Sequence, residues 1–182
     1  MSNTRGLALR SVVHLAVFLL SVTGLFAQQH DCYVPGKILT TKKRPIATTI
    51  TATAIDTADT SFIIRADVQR KGRFEMFLPW KRVYRLYFEA EGYVGKHILI
   101  DLKRNVHLPI GDRGLQFEIE LPERLESVDY SLLSEPIGIV HFEAGADEPG
   151  WDLGYSERRR PLWDAFQVQY DLAMRKRRSH RK

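Results

Sequence analysis

The sequence predicts an all-β protein, a sandwich of about seven strands that is followed by a short C-terminal helix. The clearest pattern lies in residues 72–93 (GRFEMFLPWKRVYRLYFEAEGY), where inward and outward positions alternate on either side of a Pro-Trp-Lys-Arg turn. Such alternation is typical of half-buried antiparallel strands. Turn signals recur about every ten residues, which is the spacing of a β-sandwich. No segment with helical periodicity interrupts residues 33–121.

Residues 1–27 have the pattern of a secretory signal peptide. Arg5 and Arg10 precede an apolar run at 11–26, and a small residue stands just before the polar residues that begin at Gln28. The run of 16 residues is shorter than the roughly 20 that a helix needs to cross a bilayer. We therefore expect cleavage before Gln28 rather than an uncleaved anchor. The mature protein is expected to be exported to the periplasm or the cell surface and to have no transmembrane span.

Cys32 is the only cysteine, so the chain cannot form an intrachain disulfide. The polar residues 29–31 stand where a lipoprotein signal requires small residues, and this argues against lipidation. We expect a buried, idle thiol.

The net charge of +5 arises from the C-terminal tail. Six of the 27 basic residues lie at 175–182, where there is no acid, which leaves 21 basic residues against 22 acids in the rest of the chain. The basic isoelectric point is therefore no sign of a nucleic-acid-binding domain.

Seven strands are expected upstream of residue 122. Pro35 and Gly36 favour an edge position or a bulge for the first of them, because proline donates no hydrogen bond to a sheet. The run 46–55 (IATTITATAI) is the most β-prone stretch of the chain. The run 115–121 (LQFEIEL) alternates without interruption. The expected strands are 33–40, 46–55, 61–68, 74–78, 84–90, 96–102 and 115–121.

The character of the chain changes after residue 121. One more strand is expected at 137–142, added to a sheet edge, and a Gly- and acid-rich loop at 144–156 follows it. Pro161 is suited to the first position of a helix, which we expect to run to about residue 178. Apolar residues follow at helical spacing: Trp163, Phe166, Tyr170 and Met174.

These patterns divide the chain into four parts. They are the signal peptide (1–27), the sandwich (28–121), an extension made of a strand and an acidic loop (122–160), and the C-terminal helix with its basic tail (161–182).

Several short motifs suggest a family. A V-P-G-K-I strand comes first, then Gly72-Arg73-Phe74 as G-x-F, and later Gly92-Tyr93 before an apolar strand. Over roughly residues 33–102 the chain resembles the carboxypeptidase regulatory-like domains, which share the transthyretin-like (prealbumin-like) Greek-key β-sandwich. The Thr-Asp pair that usually lies a few residues before G-x-F is replaced by Ala66-Asp67-Val68, which stands farther off. The resemblance implies a non-catalytic structural or binding module, without a cofactor, of the kind found in secreted bacterial proteins.

No catalytic or metal constellation emerges from the sequence. His141 with Glu143, near the acids 147, 148 and 152, lacks the spacing of a zinc site and the alternating oxygen ligands of a calcium loop, so we expect a solvated acidic loop. Glu118 and Glu120 share one strand face, as is ordinary for a half-exposed strand.

Exposed aromatic residues are the candidate ligand-binding groups. Trp80 lies in a polar turn, and Trp151 and Tyr155 lie in the acidic loop. They could stack on sugar rings or hold a peptide. The favoured alternative is that they cap the two open ends of the sandwich and cover core residues.

The basic tail allows several interpretations. It could be a solubilising end, or it could contact an anionic lipid surface, with the preceding helix lying on headgroups. Docking of that helix on its own sandwich is the favoured alternative, and a secretory signal makes nucleic acid improbable. The candidate contact residues are Arg175, Lys176, Arg177 and Arg178.

The leading hypothesis is a non-catalytic exported module that binds or scaffolds another protein of the cell envelope. A carbohydrate- or peptide-binding module is the alternative, and a hydrolase built on Glu or Asp residues is a weaker third.

Overall fold

A computed structural model describes residues 31–55, 62–104, 115–146 and 149–179. The predicted signal peptide lies outside these residues. In the described part, nine strands form two sheets and one helix follows them, which confirms the predicted all-β sandwich with a C-terminal helix. The elements are β1 (Cys32–Thr40), β2 (Thr49–Ala54), β3 (Ile63–Asp67), β4 (Arg73–Leu78), β5 (Val83–Phe88), β6 (Lys96–Asp101), β7 (Phe117–Leu121), β8 (Ile139–His141), β9 (Gly150–Trp151) and α1 (Leu153–Ser179).

The smaller sheet has the strand order β4-β1-β7, and the larger sheet has the order β3-β2-β5-β6-β8-β9. Neighbouring strands are antiparallel except for β1–β7 and β6–β8, which are parallel. Phe74 of the smaller sheet packs on Phe88 of the larger one, with ring centroids 6.0 Å apart. The core therefore lies between the two sheets.

The predicted alternation of β4 and β5 is confirmed. Every second residue of each strand is buried, including Phe74 and Leu78 on β4 and Tyr84 and Phe88 on β5. Because side chains alternate across a strand, this pattern fixes which face of each strand meets the core.

The predicted edge position of β1 is wrong, since β1 lies between β4 and β7. The ladder with β7 begins at Gly36, so Pro35 precedes it. A Cβ atom at Gly36 would lie 2.5 Å from the Phe74 ring and 2.7 Å from the Phe117 carbonyl oxygen. The glycine permits close packing in the middle of the sheet rather than marking a bulge.

The residues after β7 build a second, smaller core. Leu125, Val128 and Leu133 pack together with Val94 and with side chains of α1. The strand predicted at 137–142 is β8, which adds to β6 in the larger sheet, and β9 then forms the edge of that sheet.

The helix begins at Leu153, eight residues before the predicted start at Pro161. Asp152 caps it, because its Oδ1 accepts a hydrogen bond of 2.7 Å from the backbone N–H of Tyr155. Pro161 removes a helical bond to the carbonyl of Glu157. Both residues are exposed, so water can satisfy that carbonyl. The cap, rather than the proline, is the signal that marks the start.

Candidate interaction surface

One face of α1 docks on the protein's own body, as the favoured alternative predicted. Phe166 and Tyr170 are buried against the second core, and the Tyr170 hydroxyl donates a hydrogen bond of 3.3 Å to the Glu123 carbonyl. Arg159 Nη2 donates to the Leu132 carbonyl at 2.8 Å. Near the end of the helix, Arg177 Nη1 lies 3.0 Å from the Glu123 carboxylate. Contacts thus run along most of the helix and hold it in one orientation.

The opposite face of α1 carries a second apolar stripe. Leu162, Val168 and Leu172 are 50, 61 and 53% exposed, and Ala165 lies between them. Their spacing of three and four residues places them on one side of a helix. We call Leu162, Ala165, Val168 and Leu172 the outer stripe. Exposed apolar side chains scattered singly need no explanation, but a contiguous row indicates a contact surface.

An acidic row lies beside the outer stripe. Glu157, Asp164 and Asp171 follow one another at intervals of seven residues, and all three are exposed. If Ala165 and Leu172 are assigned to the a positions of a heptad, Val168 falls at d and the three acids fall at g. In helix pairs, a and d form the seam, and charges at e and g select the partner.

Trp80, one of the predicted ligand-binding residues, belongs to the core. It is only 7% exposed, and its ring lies 6.1 Å from that of Phe142. The turn between β4 and β5 folds the indole back over the end of the sandwich because an apolar ring is more stable there than in water. Trp80 therefore presents no exposed ring to a ligand, in agreement with the favoured alternative that these aromatic residues cap the ends of the sandwich.

Trp151 and Tyr155 lie at the start of the helical region. Trp151 on β9 is 40% exposed, and its ring meets Phe117 edge-on at 5.3 Å, so it links the edges of the two sheets. The Tyr155 hydroxyl donates a hydrogen bond of 2.6 Å to the Pro136 carbonyl. Of the three aromatic candidates, only Trp151 is exposed.

Gly138 provides the space for Trp151, and this leads to a prediction. A Cβ atom at Gly138 would lie 2.4 Å from the indole ring. We expect Gly138→Ala to displace the ring from Phe117 and to destabilise the protein by about 1 kcal/mol. Near-UV circular dichroism and urea unfolding would measure both effects. Gly150→Ala is the control, because its Cβ would have no atom within 4 Å; equal losses in the two variants would contradict the prediction.

The predicted basic contact residues Arg175, Lys176, Arg177 and Arg178 are all exposed, and Arg177 also pairs with Glu123. The rest of the tail, 180–182, lies outside the described residues. No helix in the described part of the chain is long and apolar enough to span a membrane.

The acidic residues considered for metal or catalytic sites have ordinary structural partners where they are described. His141 Nε2 lies 3.8 Å from the Asp152 carboxylate, while Asp147 and Glu148 lie outside the described residues. Among the residues that the structure describes, no group of three or more His, Cys, Asp or Glu side chains could hold a metal ion. Glu118 and Glu120 both pair with Lys43, and these hydrogen bonds raise the pKa of the lysine.

Cys32 is buried at the start of β1. Burial, together with the charge of Asp31, raises the pKa of its thiol to about 12. The thiol is therefore protonated at neutral pH and a poor nucleophile, which agrees with the predicted idle role.

A scan against protein-family models gives no match, and no curated protein matches the sequence. The geometry of the chain's own residues is therefore the basis for a functional proposal. The outer stripe and its acidic row were not among the predicted site residues. The spacing of leucine, alanine and valine across the predicted helix could have revealed them, because it continues on the side opposite Phe166.

Proposed function

We propose that the protein is a non-catalytic, exported module of the cell envelope that binds a helix of another envelope protein through α1. The outer stripe is the observation that carries this proposal. The inner face of the helix is already occupied by the second core, so the exposed apolar side chains have no role in holding the domain together. A partner that covered them would remove apolar surface from water, which is the main driving force of protein association.

The acidic row favours a protein partner with basic residues beside its own apolar seam. Glu157, Asp164 and Asp171 oppose contact of the outer stripe with lipid phosphates, whereas the exposed Arg158 and Arg175 at its two ends would attract them. In an antiparallel pair of two copies, g positions face g positions, so the same acids would repel one another. A helix with lysine or arginine at the matching positions avoids both problems.

The resemblance to carboxypeptidase regulatory-like domains supports the non-catalytic part of the proposal. A transthyretin-like Greek-key sandwich would serve as the rigid support that presents α1. Export to the periplasm or the cell surface rests on the pattern of residues 1–27.

Trp151 supports the alternative of a carbohydrate- or peptide-binding module. Its partly exposed indole lies at a sheet edge, where a sugar ring could stack on it or a strand could be added. With Trp80 in the core, this alternative depends on one exposed ring rather than on a row of them.

Site-specific crosslinking tests the helix proposal. A photoreactive residue in place of Val168 is expected to form one discrete protein adduct in the native envelope, whereas the same residue in place of Phe77, which is exposed on the smaller sheet, should form none. Reversing Asp164 and Asp171 to lysine should lower the yield at least fivefold, since the loss of two favourable pairs of roughly 0.5 kcal/mol each already removes about 1 kcal/mol and the lysines add repulsion.

Glu75→Lys on the exposed face of the smaller sheet is the matched charge control and should leave the yield unchanged. A lipid adduct at Val168, an adduct with a second copy of the chain, or a yield that the two aspartates do not influence would overturn the proposal.

A further inference from the structure

A polar cluster lies on the outer face of the larger sheet, away from α1's outer stripe. In the pairing of β2 with β5, Thr53 lies opposite Arg85 and Thr51 lies opposite Tyr87. Arg65 of β3 lies opposite Thr51 from the other side. These five residues share the face that points away from the core, because the alternate positions of β2 and β5 are buried. We call them the Arg85 cluster.

Among the residues that the structure describes, Arg85 has no acidic partner. Its Nη1 donates a hydrogen bond of 3.2 Å to the Tyr87 hydroxyl, while its buried Nε has no hydrogen-bond acceptor among those residues. No described carboxylate lies within ion-pair distance of the guanidinium. Arginine is charged at every physiological pH. A buried N–H group without an acceptor is rare and costs about 1–3 kcal/mol.

A histidine lies beside the Arg85 cluster. His97 of β6 lies opposite Tyr87, and the two rings are 5.5 Å apart. Burial lowers the pKa of His97, and the charge of Arg85 lowers it further, against a smaller opposing influence of Glu135. His97 is therefore mainly neutral at pH 7, and within the described part of the chain no carboxylate forms an ion pair with Arg85.

We propose that the Arg85 cluster binds an oxyanion, a carboxylate or a phosphate, presented on a small molecule or a saccharide. The guanidinium would supply charge and N–H donors in the planar arrangement that fits such groups. The hydroxyls of Thr51, Thr53 and Tyr87 line the same face and would donate further hydrogen bonds, and Arg65 would add a second positive charge. This site is independent of the partner proposed for α1.

Titration of the mature protein with sodium phosphate and with sodium acetate, each at constant ionic strength against chloride, tests the site. Nuclear magnetic resonance would follow the Nε–H of Arg85 and the ring protons of His97. We expect saturable shifts with at least one oxyanion, together with a rise in the pKa of His97, because a bound anion offsets the charge of Arg85. The stronger of the two anions indicates whether the natural group is a phosphate or a carboxylate.

Three variants define the site. Arg85→Gln should weaken binding at least tenfold, and Thr53→Val, which keeps the shape of the side chain, should weaken it severalfold. Arg73→Gln, an exposed arginine on the smaller sheet, is the control and should bind as the unmodified protein does. Shifts that fail to saturate, or that persist in folded Arg85→Gln, would overturn the proposal, as would an equal loss in Arg73→Gln.

Discussion

Replacing Gly72 with alanine is expected to destabilise the protein by about 3 kcal/mol or more. Gly72 has a φ of +73°, in the left-handed region that disfavours residues with a Cβ atom by about 1–2 kcal/mol. A Cβ atom there would also lie 2.4 Å from the carbonyl oxygen of Ile38. Ile38 belongs to β1, the central strand of the smaller sheet, and its side chain is completely buried. The clash therefore cannot be relieved by a side-chain rotation, and the backbone of β1 or the turn before β4 must shift.

Gly92→Ala separates the cost of the backbone conformation from the cost of the clash with Ile38. Gly92 has a φ of +78°, yet a Cβ atom there would meet nothing within 4 Å. The loss of stability in Gly92→Ala should reflect the backbone conformation alone, about 1–2 kcal/mol. Urea unfolding of both variants measures the difference between them. If the two losses were equal, the contact with Ile38 would contribute nothing to the requirement for glycine.

Gly72 also shows why parts of this fold could be predicted. It opens the G-x-F motif that contributes to the family resemblance, and the strand that follows has a clean period of two. The alternation in β4 and β5 is a local property, so the buried residues of both strands follow from their order alone. Strands β1–β8 and the docked face of α1 were predicted for this reason, whereas the loop predicted at 144–156 is wrong, because it contains β9 and the first residues of α1.

Errors arose where a residue's position depends on distant parts of the chain. Trp80 lies in a polar turn, and its burial depends on Phe142, which follows 62 residues later in the sequence. The central position of β1 depends on β7, which joins it in parallel. Pairing between distant segments is determined by the whole fold and leaves little trace in local composition.

The two proposed sites also differ in whether the local sequence reveals them. The outer stripe lies within one helix, and its spacing is visible in the sequence once both faces of that helix are considered. The Arg85 cluster is assembled from β2, β3 and β5, and only the register of these strands brings Thr51, Thr53 and Arg85 together. Its residue types, two threonines, two arginines and a tyrosine, are common on outward strand positions, so their sequence alone gave no reason to select them.

Lys96→Met is expected to stabilise the protein by about 2 kcal/mol at neutral pH, although most substitutions beneath a packed helix lower stability. Lys96 stands at the start of β6, and its Nζ lies 5.5 Å from the centre of the Trp163 ring on α1. Burial lowers the pKa of this amine from 10.5 to about 8, and the charge of Glu120 opposes the shift only in part. A depressed lysine pKa means that the folded state bears a free-energy cost for holding the proton.

The pH dependence of this gain distinguishes charge from packing. Below pH 8 the amine is protonated in both the folded and the unfolded state, so the full cost is present and methionine removes it. Between pH 8 and 10.5 the folded protein releases its proton first, the cost declines, and the advantage of the variant should shrink. The attraction between the ammonium and the Trp163 ring offsets part of the cost, which is why we expect a smaller gain than the lowering of the pKa from 10.5 to about 8 alone would give.

The measurement is the difference in the free energy of unfolding between Lys96→Met and the unmodified protein at several pH values from 7 to 11. Tyrosines and other lysines titrate in both proteins over this range, so their contributions cancel in the difference. A gain that stays constant across the range would mean that methionine acts through added apolar burial alone. A loss of stability at neutral pH would mean that the favourable contact with the Trp163 ring is larger than the cost of burying the charged amine. Lys96 would then stabilise the docking of α1 rather than weaken it.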